Sequence, residues 1–394
     1  MVVDHTSTRS RRSHTFSWRD AALSLSNVRR SLAMLLIAGV CAGPMATVAH
    51  AQFDTLPNEV TSATSALSGE QAAAVKSYAQ KYVDQLTVEG EGDSADQAKR
   101  LLVEPLNRMS VTPSFRLEYA RALSEKLRAM SQDGKAENAI RALFIAGDLA
   151  TETSIAIAES QLTAKDDGTR AAAAVAMRRT FEAVKRFDPA ISTARLATSL
   201  DAVGNALRKE ADPQIYRELS RAVSAAMQID RAGHENVRNK AAAVLSDALG
   251  ARLRELEGAI PETQTAYALV GAATDLRSVL GQEGQLGAEG AKAAAGFAGD
   301  LLVNISKVIK KGGLSTSKAE EDPSRALAVQ MSLLAEQIIT LASARTSAAG
   351  AAVNLSNFLR SGEVNDDAKF TLGLNEVVDR LTKAPFSHPA DRFK

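Results

Sequence analysis

Apolar residues recur along most of the chain at the three- and four-residue intervals of an amphipathic helix. The clearest stripe steps by four, three, four and three residues, through Leu327, Met331, Leu334, Ile338 and Leu341. Such a stripe lies on one helix face, which must pack on a neighbour because a short helix is unstable alone in water. No segment shows the strict alternation of a half-buried strand. The pattern therefore predicts an all-α fold.

Helix starts are marked by turn residues between the apolar stripes. An aspartate followed by proline marks three predicted starts, at Asp188-Pro189, Asp212-Pro213 and Asp322-Pro323. The aspartate can accept hydrogen bonds from the first-turn backbone N–H groups, and proline is favoured at the first helical position. The spacing of these turns predicts helices of about 12 to 20 residues joined by short polar loops.

Parts of the chain are similar to one another. Residues 113–123 align with residues 213–223, and Thr169-Arg170 and Val237-Arg238 each precede a run of small residues. A turn Asp or Asn, an Arg and then small residues and Leu is how the second helix of a HEAT repeat often reads. Over about residues 136–256 the chain therefore resembles HEAT and armadillo-type α-solenoids. The resemblance implies an array of short antiparallel helices, each repeat burying its face on the next, with an irregular helical bundle as the alternative.

Composition divides the chain into five segments. We predict a signal peptide over 1–51, a helical repeat-like domain over 52–310, a flexible linker over 311–323, a C-terminal helical segment over 324–383 and a disordered tail over 384–394. The linker is predicted from its glycines and serines. The tail is predicted from its two prolines, Pro385 and Pro389.

The first 51 residues have the three parts of a secretory signal. A stretch with six arginines precedes a short apolar run over residues 32–42, and the run is followed by Ala49-His50-Ala51. Small residues at Ala49 and Ala51 are what a signal peptidase recognises, so we predict cleavage before Gln52. The protein is then expected in a periplasm or outside the cell. An uncleaved anchor and twin-arginine export through Arg29-Arg30 are the alternatives.

Cleavage of this leader would change the residue composition and the net charge of the remaining body. The only cysteine, Cys41, and the only tryptophan, Trp18, lie in the leader, so the body must be stabilised by a hydrophobic core rather than by disulfides. Six arginines and two aspartates also leave, so that acidic residues slightly outnumber basic ones. This balance gives no electrostatic support for binding nucleic acid. No later segment is predicted to insert in a membrane.

The body offers few residues for catalytic or metal chemistry. His234 and His388 are its only histidines, and His234-Glu235-x-x-Arg238 lacks the second imidazole of the related zinc motif. The sequence contains neither the serine turn of an α/β-hydrolase nor a phosphate-binding P-loop. We therefore predict no catalytic residue, no metal site and no cofactor, and expect that the protein is not an enzyme.

One acidic loop leaves a question open. In residues 89–96, glycines separate Glu89, Glu91 and Asp93, and such spaced carboxylates can bind Ca²⁺. An EF-hand loop would need glycine where Ser94 stands and glutamate where Arg100 stands. A weak Ca²⁺ site and a solvated interhelical loop are the two interpretations.

These observations favour a non-catalytic interaction or scaffold protein of the cell envelope, whose partner is another protein or peptide. The resemblance to HEAT-like arrays implies a contact stripe on exposed helix faces, for which the candidates are Arg170, Arg178, Arg217, Arg221 and Arg238. Two alternatives stay open. One is a structural bundle that self-associates into a homo-oligomer. The other is a helical hydrolase or lyase that uses paired carboxylates.

Overall fold

The computed structural model describes residues 55–87, 92–348 and 354–394, and almost all regular structure in these ranges is helical. The α-helices are α1 Asn58–Thr61, α2 Gly69–Val83, α3 Gly92–Val103, α4 Pro113–Gln132, α5 Ala136–Leu149, α6 Glu152–Ser160, α7 Asp167–Arg186, α8 Thr193–Lys209, α9 Pro213–Met227, α10 Glu235–Leu256, α11 Thr263–Gly281, α12 Ala288–Lys310, α13 Pro323–Thr346 and α14 Val364–Thr382. Short 3₁₀ helices span Asp84–Thr87, Glu104–Asn107, Ser356–Leu359 and Ala390–Phe393. In these ranges the only β-type pairing is one isolated bridge between Thr151 and Ala190. The predicted all-α class is confirmed.

Two of the three predicted Asp-Pro helix starts are correct. Asp212 caps α9 by accepting hydrogen bonds from the backbone N–H groups of Gln214 and Ile215, and Asp322 caps α13 in the same way. The start at Asp188-Pro189 is wrong, because α8 begins at Thr193 with Ser192 as its N-cap. Asp188 instead pairs with Arg231 across the surface. Another capping residue a few positions further along the chain can therefore serve as the N-cap in place of the aspartate of an Asp-Pro pair.

The helices from α4 onward form two layers that follow the order of the chain. The even-numbered helices α4, α6, α8, α10, α12 and α14 pack in succession in one layer, and the odd-numbered helices α5, α7, α9, α11 and α13 pack in succession in the other. Sequential neighbours such as α4 and α5, or α12 and α13, pack across the two layers. Contacts that follow chain order are those of a helical array, as the sequence predicts, and not those of an irregular bundle.

The core between the layers is built largely from leucine and alanine. Leu143, Ala173, Leu245 and Leu301 are among the fully buried residues, which form one continuous cluster along the array. Burying a leucine stabilises the fold by roughly 1.5–3 kcal/mol, and the small alanines allow close helix approach. At Gly147 the approach is closer still, because a Cβ atom there would lie 2.8 Å from the backbone oxygen of Ala176. This contact fixes α5 tightly against α7.

The C-terminal segments are held by polar contacts. In the predicted linker, the Ser315 hydroxyl donates to Asp322, and the buried guanidinium of Arg325 donates to the Ser315 carbonyl. The predicted disordered tail differs more clearly from expectation: Phe386 and Phe393 are buried, and Arg392 forms an ion pair with Asp300 of α12. Proline at 385 and 389 suggested a frayed end, but these long-range contacts are not visible in local composition.

Helix α13 is a further difference from expectation. Among the described helices it alone is long and apolar enough to cross a membrane by length and composition, with a mean hydropathy of 1.4 over an 18-residue window. The core helix of a water-exposed fold meets the same criterion, and 61% of this window is buried against the rest of the protein. Its apolar face packs on α11 and α12. Hydropathy alone does not distinguish such a buried core helix from a membrane span.

Candidate functional site

The arginines predicted to form a contact stripe fall into two groups. Arg178 lies on α7 and Arg217 and Arg221 lie on α9, and all three belong to the odd-numbered layer. Arg178 is within 3.7 Å of Glu218 on α9, and Arg217 donates to Gln264 on α11. Arg178 and Arg217 therefore join successive helices of one layer, whereas Arg221 pairs with Glu218 of its own helix.

Arg170 and Arg238 do not belong to such a stripe, and the prediction is wrong for them. The Arg170 guanidinium donates to both carboxylate oxygens of Glu210, at 2.9 and 3.2 Å. Arg238 is 3% exposed and donates to the backbone oxygens of Ile229 and Gln285. Both stand at the fourth residue of a helix, from which the long side chain reaches the loop carbonyls beside the first turn.

Two further helices carry an arginine at the same or the preceding position of the first turn. Arg116 is the fourth residue of α4 and Arg325 the third residue of α13, and their exposed fractions are 1% and 0%. Arg116 donates to the backbone oxygens of Leu106, Asp148 and Leu149, and thereby joins α4 to the end of α5. Every third helix from α4 to α13 thus carries an arginine that holds neighbouring loops in place.

A groove opens on the odd-numbered layer where α7, α9 and α11 meet. Its volume is about 460 Å³, and it is lined by Arg178, Glu182, Lys185, Arg186, Arg221, Ser224, Ala225, Gln228 and Asp275. The α7 residues recur at intervals of three and four, which places them on one face of that helix. We call this surface the α7–α11 groove. Four basic and two acidic side chains line it.

The charges in the groove are only partly compensated. Arg178 donates to Glu182 at 3.0 Å, and Gln228 donates to Asp275 at 3.1 Å. Burial raises the pKa of Asp275, while the Ser224 hydroxyl and the charges of Arg221 and Lys185 oppose that shift. Lys185 is exposed and has no carboxylate partner among the residues described here. The groove lining therefore has more basic than acidic side chains, although Glu218 of α9 pairs with Arg178 and Arg221.

A second cavity adjoins the groove on the other side of α7. This cavity, which we call the inner cavity, has a volume of about 160 Å³ and lies where α4, the end of α5 and the last two turns of α7 meet. It shares Arg178, Glu182 and Arg186 with the groove and adds Leu106, Asn107, Arg116, Asp148, Arg179, Ala183 and Phe187. Four guanidinium groups and two carboxylates line it.

The inner cavity contains two ion pairs, Arg179–Asp148 and Arg178–Glu182, and two guanidiniums that pair with no carboxylate of the described residues. Arg179 donates to both oxygens of Asp148, at 2.7 and 2.5 Å, while burial raises the pKa of Asp148 against this pairing. Arg116 and Arg186 both lie over the ring of Phe187, at 4.7 and 5.1 Å from its centroid. Burial lowers the pKa of Arg116 to about 10; Asp148 opposes this shift and the Arg186 charge adds to it.

The two histidines occupy structural positions. His234 directly precedes α10, and its Nδ1 lies 3.2 Å from the Ala232 carbonyl oxygen. His388 contacts the Lys292 carbonyl through Nε2 at 2.9 Å, and burial lowers its pKa to about 4. Over residues 55–87, 92–348 and 354–394 no group of three or more His, Cys, Asp or Glu residues could hold a metal ion.

Two sets of predicted residues lie wholly or partly outside the described ranges. The predicted cleavage site, Ala49, Ala51 and Gln52, is outside them, as are Glu89 and Glu91 of the acidic loop. Residues 92–96 belong to the start of α3 rather than to a loop, and Asp96 there pairs with Lys99 at 3.1 Å.

Of the residues that line the inner cavity, the sequence singled out only Arg178. Arg116, Arg179 and Arg186 were missed, although Arg178-Arg179 and Lys185-Arg186 stand seven residues apart on one helix. That spacing puts the two basic pairs two turns apart on the same face, and it is the one local pattern that could have indicated the site. Arg116 and Asp148 reach the cavity only through tertiary packing.

Comparison with known proteins gives no family for this chain. No family model matches it, and no curated protein matches it. Three crystal structures of engineered proteins from the Northeast Structural Genomics Consortium are similar to it at 16%, 15% and 15% sequence identity, with TM-scores of 0.32, 0.28 and 0.27. The matches cover 68%, 68% and 84% of this chain and 96%, 98% and 96% of the engineered chains.

Proposed function

We propose that this protein is an exported, non-catalytic scaffold of the cell envelope, built as a HEAT-like α-solenoid, which binds another protein or peptide along its odd-numbered layer. The observation that carries the proposal is the α7–α11 groove. It is open along α7 and lined by side chains from three successive helices. Helical arrays commonly use such extended surfaces for recognition.

The charge of the groove supports a partner segment that is acidic. Four basic side chains stand against two acidic ones, and Lys185 and Arg221 are exposed. Complementary charge raises association rates and selects against partners of the same sign. A glutamate- or aspartate-rich segment could pair with these cations while its backbone lies along the helix faces.

The experiment is a capture of partners from native envelope extract, with chemical cross-linking and quantitative mass spectrometry. The full chain is compared with Lys185→Glu, which reverses a charge in the groove, and with Lys209→Glu. Lys209 is an exposed lysine at the end of α8 in the other layer, so it is a matched control.

We expect a small set of partners that bind the wild type and Lys209→Glu equally and are depleted several-fold with Lys185→Glu, because reversing one groove charge repels an acidic segment. Equal capture by all three chains would contradict the groove assignment. Capture of no partner, with a control bait working in the same extract, would contradict the scaffold function itself.

A further inference from the structure

The inner cavity carries an inference that does not depend on the α7–α11 groove holding a protein. Its four guanidinium groups face two carboxylates. Asp148 is bound at both oxygens by Arg179, and Glu182 accepts from Arg178. Arg116 and Arg186 are left without a carboxylate partner among the described residues, so two positive charges in the cavity are uncompensated.

The more buried of these two groups has an unused donor. Arg116 is 1% exposed and its two terminal nitrogens donate to loop carbonyls, but its Nε–H has no acceptor in the described part of the chain. Buried donors without a partner are rare in folded proteins because desolvation is costly. Arg186 brings a like charge to the same Phe187 ring, which adds repulsion. An anion in the cavity that both guanidiniums line would offset both costs.

The size and charge of the cavity restrict the anion. A volume of about 160 Å³ far exceeds the roughly 10–15 Å³ that one ordered water requires by the same measure, so an anion of several atoms fits. A single carboxylate would leave one guanidinium uncompensated. A phosphate group carries a charge of about −1.5 to −2 at neutral pH and several acceptor oxygens, and arginine binds it with charge-assisted hydrogen bonds.

We propose that the inner cavity is a phosphate-binding site in which Arg116 and Arg186 contact the ligand, while Arg178 and Arg179 stay paired with their carboxylates. The ligand is a free phosphate ion or a phosphomonoester group. Arg116 is held rigidly by its bonds to the ends of neighbouring elements. Arg186, at the end of α7, is exposed and completes the site from the solvent side.

The test is isothermal titration calorimetry of the purified full chain with inorganic phosphate at near-neutral pH and low salt. Arg186→Gln removes one ligand contact without disturbing the core, whereas replacing Arg116 would also release loop carbonyls. Lys209→Gln removes one positive charge at the end of α8, outside both cavities, and is the matched control. Each folded variant is checked by circular dichroism.

We expect one saturable site whose Kd rises about tenfold in Arg186→Gln and less than about twofold in Lys209→Gln. Parallel titrations use a phosphoserine peptide and vesicles that contain phosphatidic acid. The ligand with the lowest Kd among these two and inorganic phosphate identifies the source of the phosphate group. The proposal is overturned if phosphate gives no saturable binding up to millimolar concentration. Equal weakening in the two variants would also overturn it, since it would indicate nonspecific attraction. Both of these outcomes concern phosphate binding alone, so they leave the test of the scaffold function with Lys185→Glu unaffected.

Discussion

Many arginine side chains in the described residues have one of two environments. Arg116, Arg238 and Arg325 are buried at the first turn of a helix and donate to loop carbonyls. Others, such as Arg178 and Arg221, lie at the surface of the odd-numbered layer with glutamate neighbours. In the first environment each hydrogen bond satisfies a carbonyl that would otherwise be buried without a partner. In the second, solvent screens the pair and little stability depends on it.

Replacement of Arg238 by alanine should therefore be costly. We expect Arg238→Ala to lower the free energy of unfolding by about 2–3 kcal/mol, because charge-assisted bonds to buried carbonyls are lost. Arg221→Ala, which removes an exposed arginine paired only with Glu218, should change it by less than about 0.5 kcal/mol. Urea denaturation measures both. Similar losses for the two variants would show that Arg238 does not hold its loops.

The docking of the C-terminal tail should depend on pH through His388. Burial is the main reason that its pKa falls to about 4; the charges of Arg392 and Lys292 add to the shift and the bond to the Lys292 carbonyl opposes it. As pH falls from about 6.5, the undocked histidine takes up a proton while the docked one does not, so acid favours undocking. The contribution of His388 to docking is therefore fully present only above about pH 6.5.

Hydrogen exchange of the tail, corrected for the intrinsic rate, tests this expectation. We expect protection around Phe393 to decrease between about pH 6.5 and pH 5 in the wild type and to stay nearly constant in His388→Gln, which cannot titrate. Burial raises the pKa of Asp300, against the pull of Arg392 and Arg254, so protonation of this carboxyl would favour the docked state and opposes the effect of His388. A decrease of equal size in both chains would contradict the assignment to His388.

At the scale of the helix, close packing overrides intrinsic propensity. Alanine is a better helix former than glycine by about 1 kcal/mol, yet Gly147 in α5 lies against the backbone of α7. Gly271, in α11, is exposed and has nothing within 4 Å of the position that its Cβ would occupy. The two glycines therefore differ only in their tertiary surroundings.

Alanine at these two positions should change stability in opposite directions. Gly147→Ala should destabilise the protein by about 1–3 kcal/mol, because α5 and α7 must separate to admit the methyl group. Gly271→Ala should stabilise it by about 0.5–1 kcal/mol. Thermal unfolding followed by circular dichroism gives both values. Stabilisation by both substitutions would mean that the contact between α5 and α7 is looser than 2.8 Å from Cβ to oxygen implies.

Helix caps provide a second prediction at this scale. Asp212 accepts from the N–H groups of Gln214 and Ile215 at 2.8 and 3.0 Å, so Asp212→Ala should cost about 1 kcal/mol. Asp230→Ala is the control, since this exposed aspartate lies in the loop after α9 and caps no helix. The difference between the two variants in urea denaturation isolates the cap. No difference would contradict the assigned helix start.

At the scale of the whole molecule, local patterns predicted the helices and the type of packing but not the site. The stripe through Met331, Leu334 and Ile338 is buried as periodicity requires. The caps at Asp212 and Asp322 are local signals that the structure retains. The inner cavity joins residues far apart in the chain, and nothing around Arg116 in sequence indicates that it will meet α7. The same reason explains why the docked tail was predicted to be disordered.

The function proposed for the molecule rests on the difference between its two layers. The odd-numbered layer has a groove with a positive charge excess, whereas Arg208 and Lys240 of the even-numbered layer pair with aspartates on neighbouring helices. These two cations of the even-numbered layer are therefore compensated by carboxylates. A partner of the scaffold should therefore contact one layer and not the other.

Site-specific photo-cross-linking in living cells tests this claim most directly. A photoreactive phenylalanine analogue replaces Lys185 in the groove of the full chain, and in a second strain it replaces Lys209 on α8. We predict a discrete cross-linked product at Lys185 and none at Lys209, because a partner lies along α7 and leaves α8 uncovered. Products of equal yield at both positions, or at Lys209 alone, would contradict the assignment of the odd-numbered layer as the binding surface.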